Sequence, residues 1–79
     1  MPKPALSEAA RVFGERVRVR RQELGLSQEG LAEGTSLHWS FIGRIERGQA
    51  NITFRNMLRL VDVLGIDPGD LVRGLRSDG

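Results

Sequence analysis

The chain has 79 residues, no cysteine, a single histidine and a formal net charge of +2. A chain this short forms one small domain, and without cysteine it has neither a disulfide framework nor a thiolate metal site. No apolar run approaches the ~20 residues that span a bilayer. The opening segment MPKPALSEAA also lacks the apolar centre of a signal peptide, so a cytoplasmic location is predicted.

Enzymatic chemistry is not expected from this composition. His38 is the only histidine, and no carboxylate pair falls in a plausible cleft. We therefore predict a protein that is not an enzyme, with no metal, no cofactor and no small-molecule ligand.

Arginine is the unusual feature of the composition, because Lys3 is the only lysine among the twelve cationic residues. A cluster of arginines lies in the first predicted helix: Arg11, Arg16, Arg18, Arg20 and Arg21. The planar guanidinium suits phosphate groups and guanine edges, which favours a polyanionic partner. The alternative is a solvated helix face interspersed with Glu15 and Glu23, and charge alone does not decide between them.

Helical periodicity dominates the chain and predicts an all-α fold of five helices. Residues 1–6 are expected to form a flexible tail, residues 7–76 the folded domain and residues 77–79 a frayed end. The first helix is predicted from the capping residue Ser7 to Leu24, with Phe13 and Val17 also on its apolar side. The second covers about 28–34, after the capping residue Ser27.

The third helix is predicted at about 38–47, where Phe41, Ile42 and Ile45 share an arc of about 100° that faces the core. Its opposite side then carries polar, small and cationic residues: Ser40, Gly43, Arg44 and Arg47, with Trp39 and Glu46 on the flanks. A mid-helix glycine costs about 1 kcal/mol relative to alanine, so local stability does not account for this face.

Thr53 caps a fourth predicted helix at 54–64, whose inward set comprises Phe54, Met57, Leu60 or Val61, and Leu64. Asp67 and Pro68 open the fifth helix, since Asp is a good cap and Pro fits the first helical turn.

Two short helices joined by a tight turn have the form of a helix-turn-helix, whose second helix enters the major groove of DNA. That helix needs small or hydrogen-bonding residues near the bases and cations near the phosphates. Ser40 and Arg44 meet the first need, Arg47 the second, and Gly43 would let the backbone approach the base pairs closely.

The motifs LSQEGLA (26–32), IGRIERG (42–48) and LGIDPGDL (64–71) resemble the Xre or Cro/phage-repressor family of helix-turn-helix proteins. The similarity covers about residues 13–72. The small size and the phrase RGQANIT look most like the controller proteins of restriction–modification systems. The resemblance implies a five-helix repressor-like domain that binds double-stranded operator DNA as a two-fold dimer.

The resemblance also assigns roles by position. It implies a structural ion pair between Arg21 and Glu46. The resemblance and the exposed face of the third helix together imply base contacts for Trp39, Ser40, Gly43 and Arg44. Phosphate contacts are implied or expected for Gln28, His38, Arg47, Asn51, Thr53 and Arg55. The chain departs from the family where Ser36 replaces the usual turn glycine, where His38 replaces a Ser or Thr cap, and where Arg20 replaces a core leucine.

For Trp39, for His38 and for the apolar residues of the fifth helix, the sequence leaves two interpretations open. Trp39 either packs on a thymine methyl or a sugar edge, or covers the seam between the second and third helices. His38 is either a cap or phosphate ligand, or an idle surface residue. The C-terminal apolar residues are either core and dimer seam together or a groove for a foreign peptide.

A dimer is expected because one recognition helix discriminates weakly, whereas two half-sites multiply its contribution. The predicted interface lies on the fourth and fifth helices and comprises Val63, Leu71, Val72 and Leu75. The predicted function is a sequence-specific transcription regulator that binds a palindromic operator through the major groove. The alternative is an antitoxin-type protein-interaction module that neutralises a partner and regulates its own operon.

Overall fold

A computed structural model describes residues 3–77, and five helices make up this part of the chain. They are α1 (Glu8–Glu23), α2 (Gln28–Thr35), α3 (Trp39–Glu46), α4 (Phe54–Leu64) and α5 (Pro68–Val72). The range 3–77 contains no strand, and the predicted all-α, five-helix fold is confirmed. The last two residues of the predicted frayed end lie outside the described residues.

Every helix begins at a side chain that accepts a hydrogen bond from a backbone N–H of its first turn. Such a cap satisfies one of the donors that a helix start leaves unpaired. The capping residues are Ser7, Ser27, His38, Thr53 and Asp67. Local sequence chemistry therefore fixes where each element begins.

The core lies where α1, α2, α3 and α4 meet, with one residue from α5. Its fully buried side chains are Val17, Leu31, Ile42, Ile45, Leu60, Leu64 and Leu71. Gly14 allows α1 to cross the end of α3 closely, because a Cβ at this position would overlap the Ile45 carbonyl oxygen. The close crossing fixes the orientation of α3 relative to the body.

Two residues predicted to face inward are exposed instead. Phe54 is 72% exposed and Leu24 is 41% exposed. Phe54 is the first residue of α4, and at 100° per residue it lies roughly 80° around the helix from the buried Leu64. Leu24 follows the last turn of α1, where Gly25 at φ +70° turns the chain away. Both predictions failed at helix ends.

Three arginines of the α1 cluster bind backbone carbonyl oxygens or a buried carboxylate. Arg16 Nη1 donates to the carbonyl oxygens of Leu71, at 3.2 Å, and Arg73, at 2.8 Å. Arg20 Nε donates to the Leu64 carbonyl at 2.9 Å. Arg20 and Arg16 thus satisfy carbonyls at the C-terminal ends of α4 and α5, which have no partner within their own helices.

The remaining arginines of the cluster pair with neighbouring acids on the surface of α1. Arg11 binds Glu8 at 2.7 Å, and its hydrogen bond is the main cause that lowers the pKa of that exposed carboxyl. Arg18 lies 3.5 Å from Glu15. The solvated-face interpretation describes these two residues.

Residues 3–6, predicted as part of a flexible tail, lie against the loop between α3 and α4. The Leu6 N–H donates to the Gly48 carbonyl at 2.8 Å, and the Lys3 carbonyl accepts from Gln49 Nε2 at 2.7 Å. This segment differs from the expected loose tail because two hydrogen bonds fix it beside the end of α3.

Candidate nucleic-acid interface

The turn between α2 and α3 depends on a left-handed residue. Ser36 has φ +60°, and it is the only residue other than glycine with a positive φ in residues 3–77. Its position is the one at which the resemblance implies glycine, which adopts this conformation without strain. The Ser36 N–H donates to the Glu33 carbonyl, so the turn keeps its hydrogen bond despite the substitution.

His38 caps α3 through its ring. The Ser40 N–H donates to His38 Nδ1 at 3.1 Å, and Ser40 Oγ lies 2.7 Å from the same nitrogen. Because a backbone N–H can only donate, Nδ1 is an acceptor and the ring proton of the neutral imidazole is assigned to Nε2. The capping alternative for His38 therefore fits the geometry, and Nε2–H remains as an outward donor.

Trp39 stands on the surface at the start of α3. It is 58% exposed, and its ring stacks on His38 with centroids 5.6 Å apart. It also borders an open cleft against Glu29 and Ala32 of α2. Trp39 therefore does not pack internally, and most of its ring is accessible to a partner.

Arg44 and Arg47 carry the charge of the exposed face of α3. Arg44 Cζ lies 5.9 Å from the centroid of the Phe41 ring, a cation–π contact that leaves all guanidinium donors available. Arg47 Nε donates to Gln49 Oε1 at 3.1 Å. No carboxylate lies within 4 Å of either guanidinium in the described part of the chain.

The expected exposure of Gly43 is wrong. Gly43 is buried, and a Cβ at this position would lie 3.0 Å from Arg47 Nη1 and 3.7 Å from Gln28 Oε1. The side chain of Arg47, one turn later, folds back over it. The missing side chain makes room for the Arg47 guanidinium, and a direct base contact from Gly43 does not fit this arrangement.

Glu46 is the only acid of α3 and is withdrawn from its exposed face. Arg21 Nε donates to Glu46 Oε2 at 2.6 Å and Arg21 Nη2 to Oε1 at 3.0 Å, with the two side chains 11% and 2% exposed. The hydrogen bond that Arg21 donates to Glu46 is the main cause that raises the pKa of Arg21. The geometry is that of the structural pair implied by the resemblance.

Gln28 belongs to the same buried network. Its Nε2 donates to Glu46 Oε1 at 3.1 Å, so one of its two amide hydrogens is committed to the protein. Its expected phosphate contact is thereby limited to the second amide hydrogen. The contact between Gln28 and Glu46 was not predicted from the sequence, because the two residues lie on different helices.

The remaining expected phosphate ligands lie on the loop after α3 and at the start of α4. Asn51, Thr53 and Arg55 are all exposed. Thr53 Oγ1 accepts from the Asn56 N–H at 3.0 Å, which leaves its hydroxyl hydrogen available to an outside acceptor. These residues therefore offer hydrogen-bond donors in the segment that follows α3.

The expected dimer residues divide into two groups. Leu71 is 1% exposed and belongs to the core, and Val63 packs against the core beside Gly34 of α2. The predicted interface role of Leu71 is therefore wrong, since a residue already covered by its own chain has no surface to offer a partner, whereas Val63 is only partly buried. Val72 is exposed and Leu75 half-buried. The sequence reading missed two apolar residues one turn apart on the surface of α4, Phe54 and Leu58.

Residues 3–77 contain neither a metal-binding cluster nor a membrane-spanning helix. No group of three or more His, Asp or Glu side chains is arranged to hold a metal ion. None of the helices combines the length and the apolar character that crossing a bilayer demands.

A left-handed turn that leads into a short helix with an exposed polar and cationic face defines a helix-turn-helix of the Cro and phage-repressor type. The helix-turn-helix domain family matches residues 12–75. The chain therefore belongs to the Xre-type helix-turn-helix family.

Its similar proteins include controller proteins. The control protein C.BamHI of Bacillus amyloliquefaciens is 39% identical over 62 residues, which cover 77% of this chain and 76% of the relative. The crystal structure of the restriction–modification controller protein C.AhdI from Aeromonas hydrophila matches with a TM-score of 0.80 and 42% identity. That match covers 82% of this chain and 98% of the other.

A phage repressor has the same fold. The P22 c2 repressor, solved in complex with a synthetic operator, matches with a TM-score of 0.75 and 30% identity. The match covers 81% of this chain and 97% of the repressor chain. Relatives of this chain are thus DNA-binding transcription regulators and controller proteins.

Proposed function

We propose that this chain is a sequence-specific transcription regulator that binds a two-fold symmetric DNA site as a homodimer, with α3 in the major groove of each half-site. One observation carries the proposal. The only carboxylate of α3, on Glu46, is buried against Arg21, so the exposed face of the helix carries cationic groups and no carboxylate. A carboxylate on that face would repel phosphates and oppose every arginine beside it.

Base recognition falls to the exposed residues of α3. Arg44 has its guanidinium donors available and can make the bidentate contact to guanine O6 and N7. Ser40 keeps hydroxyl lone pairs for a base edge, and the exposed ring of Trp39 can cover a thymine methyl group or a sugar.

Phosphate contacts surround this helix. Arg47, Asn51, Thr53 and Arg55 supply donors, as do the Nε2–H of His38 and the second amide hydrogen of Gln28. Such contacts fix the register of the helix on the duplex and carry no sequence information themselves.

The dimer would form through the apolar surface of α4 and α5. Phe54, Leu58 and Val72 are exposed, and Leu75 is partly so. Their burial by a second copy would remove apolar area from water that a domain of this size cannot bury by itself. The similarity to controller proteins further suggests that the bound site lies beside restriction–modification genes.

The test is selection of bound sequences from a random DNA pool, followed by binding of two variants at several salt concentrations. A palindromic motif is expected, with affinity that falls steeply with salt because bound phosphates release counterions. Arg44→Ala should lose about 1–3 kcal/mol of discrimination at one base position. Arg55→Ala, the matched control, should weaken operator and random DNA alike. Equal losses on both DNAs for Arg44→Ala, or no enriched motif at all, would contradict the proposal.

A further inference from the structure

We propose that residues 3–6 form a second DNA-binding element, and that the cleft between this segment and α3 binds a backbone phosphate of the duplex read by α3. The inference rests on the proposed function. It adds Lys3 as a phosphate ligand and Gln49 as the residue that positions it.

The cleft has a volume of about 440 Å³ and a one-sided charge. Three cations line it, Lys3, Arg44 and Arg47, and no carboxylate does. Its other lining residues are Pro4, Leu6 and Gln49. A phosphodiester brings one negative charge and several acceptor oxygens, which complement the ammonium and guanidinium donors of this cleft.

The cleft differs in this respect from much of the other basic surface. Of the nine arginines elsewhere in the described chain, five pair with an acid within 4 Å, in the pairs Arg11–Glu8, Arg18–Glu15, Arg20–Glu23, Arg21–Glu46 and Arg73–Asp70. None of the three cleft cations has such a partner among residues 3–77. Three cations without an acidic partner are therefore concentrated at a cleft that adjoins the base-reading helix.

Gln49 joins the two sides of the cleft with one amide group. Its Oε1 accepts from Arg47 Nε at 3.1 Å, and its Nε2 donates to the Lys3 carbonyl at 2.7 Å. The hydrogen bond from the Leu6 N–H to the Gly48 carbonyl, at 2.8 Å, is a second anchor of the segment. The segment is thus ordered before any ligand arrives, which reduces the entropy lost on binding.

Double-stranded DNA is the occupant that this location favours. Arg44 contributes to the cleft and to the exposed face of α3 alike, so a duplex engaged by that face passes its backbone beside the cleft. Phosphates that flank contacted bases are the usual ligands of cations placed in this way.

The test compares Lys3→Gln with Arg76→Gln, which removes the same charge from an exposed arginine of the cleft between α1 and the C-terminal end. Lys3→Gln should weaken binding to operator and random DNA several-fold, and it should make the slope of log K against log salt less steep by about 0.9 for each subunit, or about 1.8 for the proposed dimer. Arg76→Gln should leave the slope of the wild type.

Gln49→Leu separates positioning from direct contact. It should weaken binding several-fold, and much less in a chain that already carries Lys3→Gln, because a residue that acts through Lys3 has little to lose once Lys3 is gone. Full additivity of the two substitutions would overturn the positioning role. Thermal unfolding of Gln49→Leu checks that the fold is intact.

A titration with inorganic phosphate tests whether the cleft binds a free anion rather than a phosphate of the DNA backbone. A titration at constant ionic strength, observed through the NMR signals of the Gln49 side-chain amide, should show no saturation, whereas operator DNA should shift them. Saturation by phosphate alone would overturn the proposal in favour of a free-anion site. If the wild type selects a motif but Lys3→Gln behaves like Arg76→Gln, this inference fails and the proposed function stands; if the wild type binds no DNA, both fail.

Discussion

Arg21 of α1 and Glu46 of α3 form a bidentate ion pair, with Nε to Oε2 at 2.6 Å and Nη2 to Oε1 at 3.0 Å. Arg21 also donates from Nη1 to the Leu26 carbonyl at 2.8 Å, in the loop that leads into α2. One side chain therefore connects three elements of the domain. The pair also keeps the only acid of α3 away from the surface that we propose binds DNA.

Arg21→Met should destabilise the fold by about 3–5 kcal/mol, because it leaves the buried Glu46 carboxylate without its counter-charge. Arg11→Met is the matched control, since Arg11 pairs with the exposed Glu8 and solvent screens that pair. Urea unfolding followed by circular dichroism measures both free energies. Similar losses for the two variants would show that the buried pair contributes no more than a surface pair.

The two mid-helix glycines Gly14 and Gly43 should respond oppositely to alanine. At Gly14 the added Cβ would meet the backbone of α3, which cannot move away, so Gly14→Ala should cost on the order of 2–3 kcal/mol. At Gly43 it would meet the far end of the flexible Arg47 side chain. Gly43→Ala should therefore gain helix propensity, up to about 1 kcal/mol, while it displaces Arg47 and weakens DNA binding.

Thermal unfolding measures the stability of both variants. A binding titration at fixed salt concentration measures the DNA affinity of Gly43→Ala. A Gly43→Ala variant that is both less stable and unchanged in DNA affinity would contradict it.

Loss of the His38 cap should destabilise the start of α3. His38→Ala should cost about 1 kcal/mol, because the Ser40 N–H loses its acceptor, and His38→Asn should restore most of it, since Asn is among the best capping residues. Unfolding free energies of the three proteins at neutral pH give the comparison. Equal stability of the Ala and Asn variants would show that the ring contributes through its stack with Trp39 rather than through the cap.

Phe54→Glu should convert the proposed dimer to a monomer, because a carboxylate would replace the most exposed large apolar side chain of α4. Leu24→Glu places the same charge at an exposed apolar position at the end of α1, outside the proposed interface, and should leave the mass unchanged. Sedimentation equilibrium reports both masses. A wild type that is monomeric at tens of micromolar, also when bound to DNA, would refute the dimer itself.

The sequence predicted what local chemistry controls. Ser7, Ser27, Thr53 and Asp67 were recognisable as caps because a cap bonds to its own first turn, and four of the five helices begin there. Period and spacing also placed Ile42 and Ile45 in the core.

The partners of long, flexible side chains could not be predicted from the sequence in the same way. Arg16 looked like a surface cation, yet it binds carbonyls more than fifty residues away. Gly43 looked like a bare approach to DNA, yet it accommodates the Arg47 side chain. In both cases a long flexible cation has many reachable partners, and only the packed structure selects one.

The hydrogen bonds of Arg16, Arg20 and Arg21 bear on the spacing between half-sites that the proposed dimer would accept. Arg21 attaches α1 to α3, and Arg16 and Arg20 attach α1 to the ends of α5 and α4. We therefore expect α3 and the proposed contact between subunits to move as one rigid body, which would keep the distance between the two α3 helices of a dimer constant. One base pair inserted between half-sites moves the second by about 3.4 Å and turns it by roughly 35°, so a rigid dimer should bind such a site more weakly.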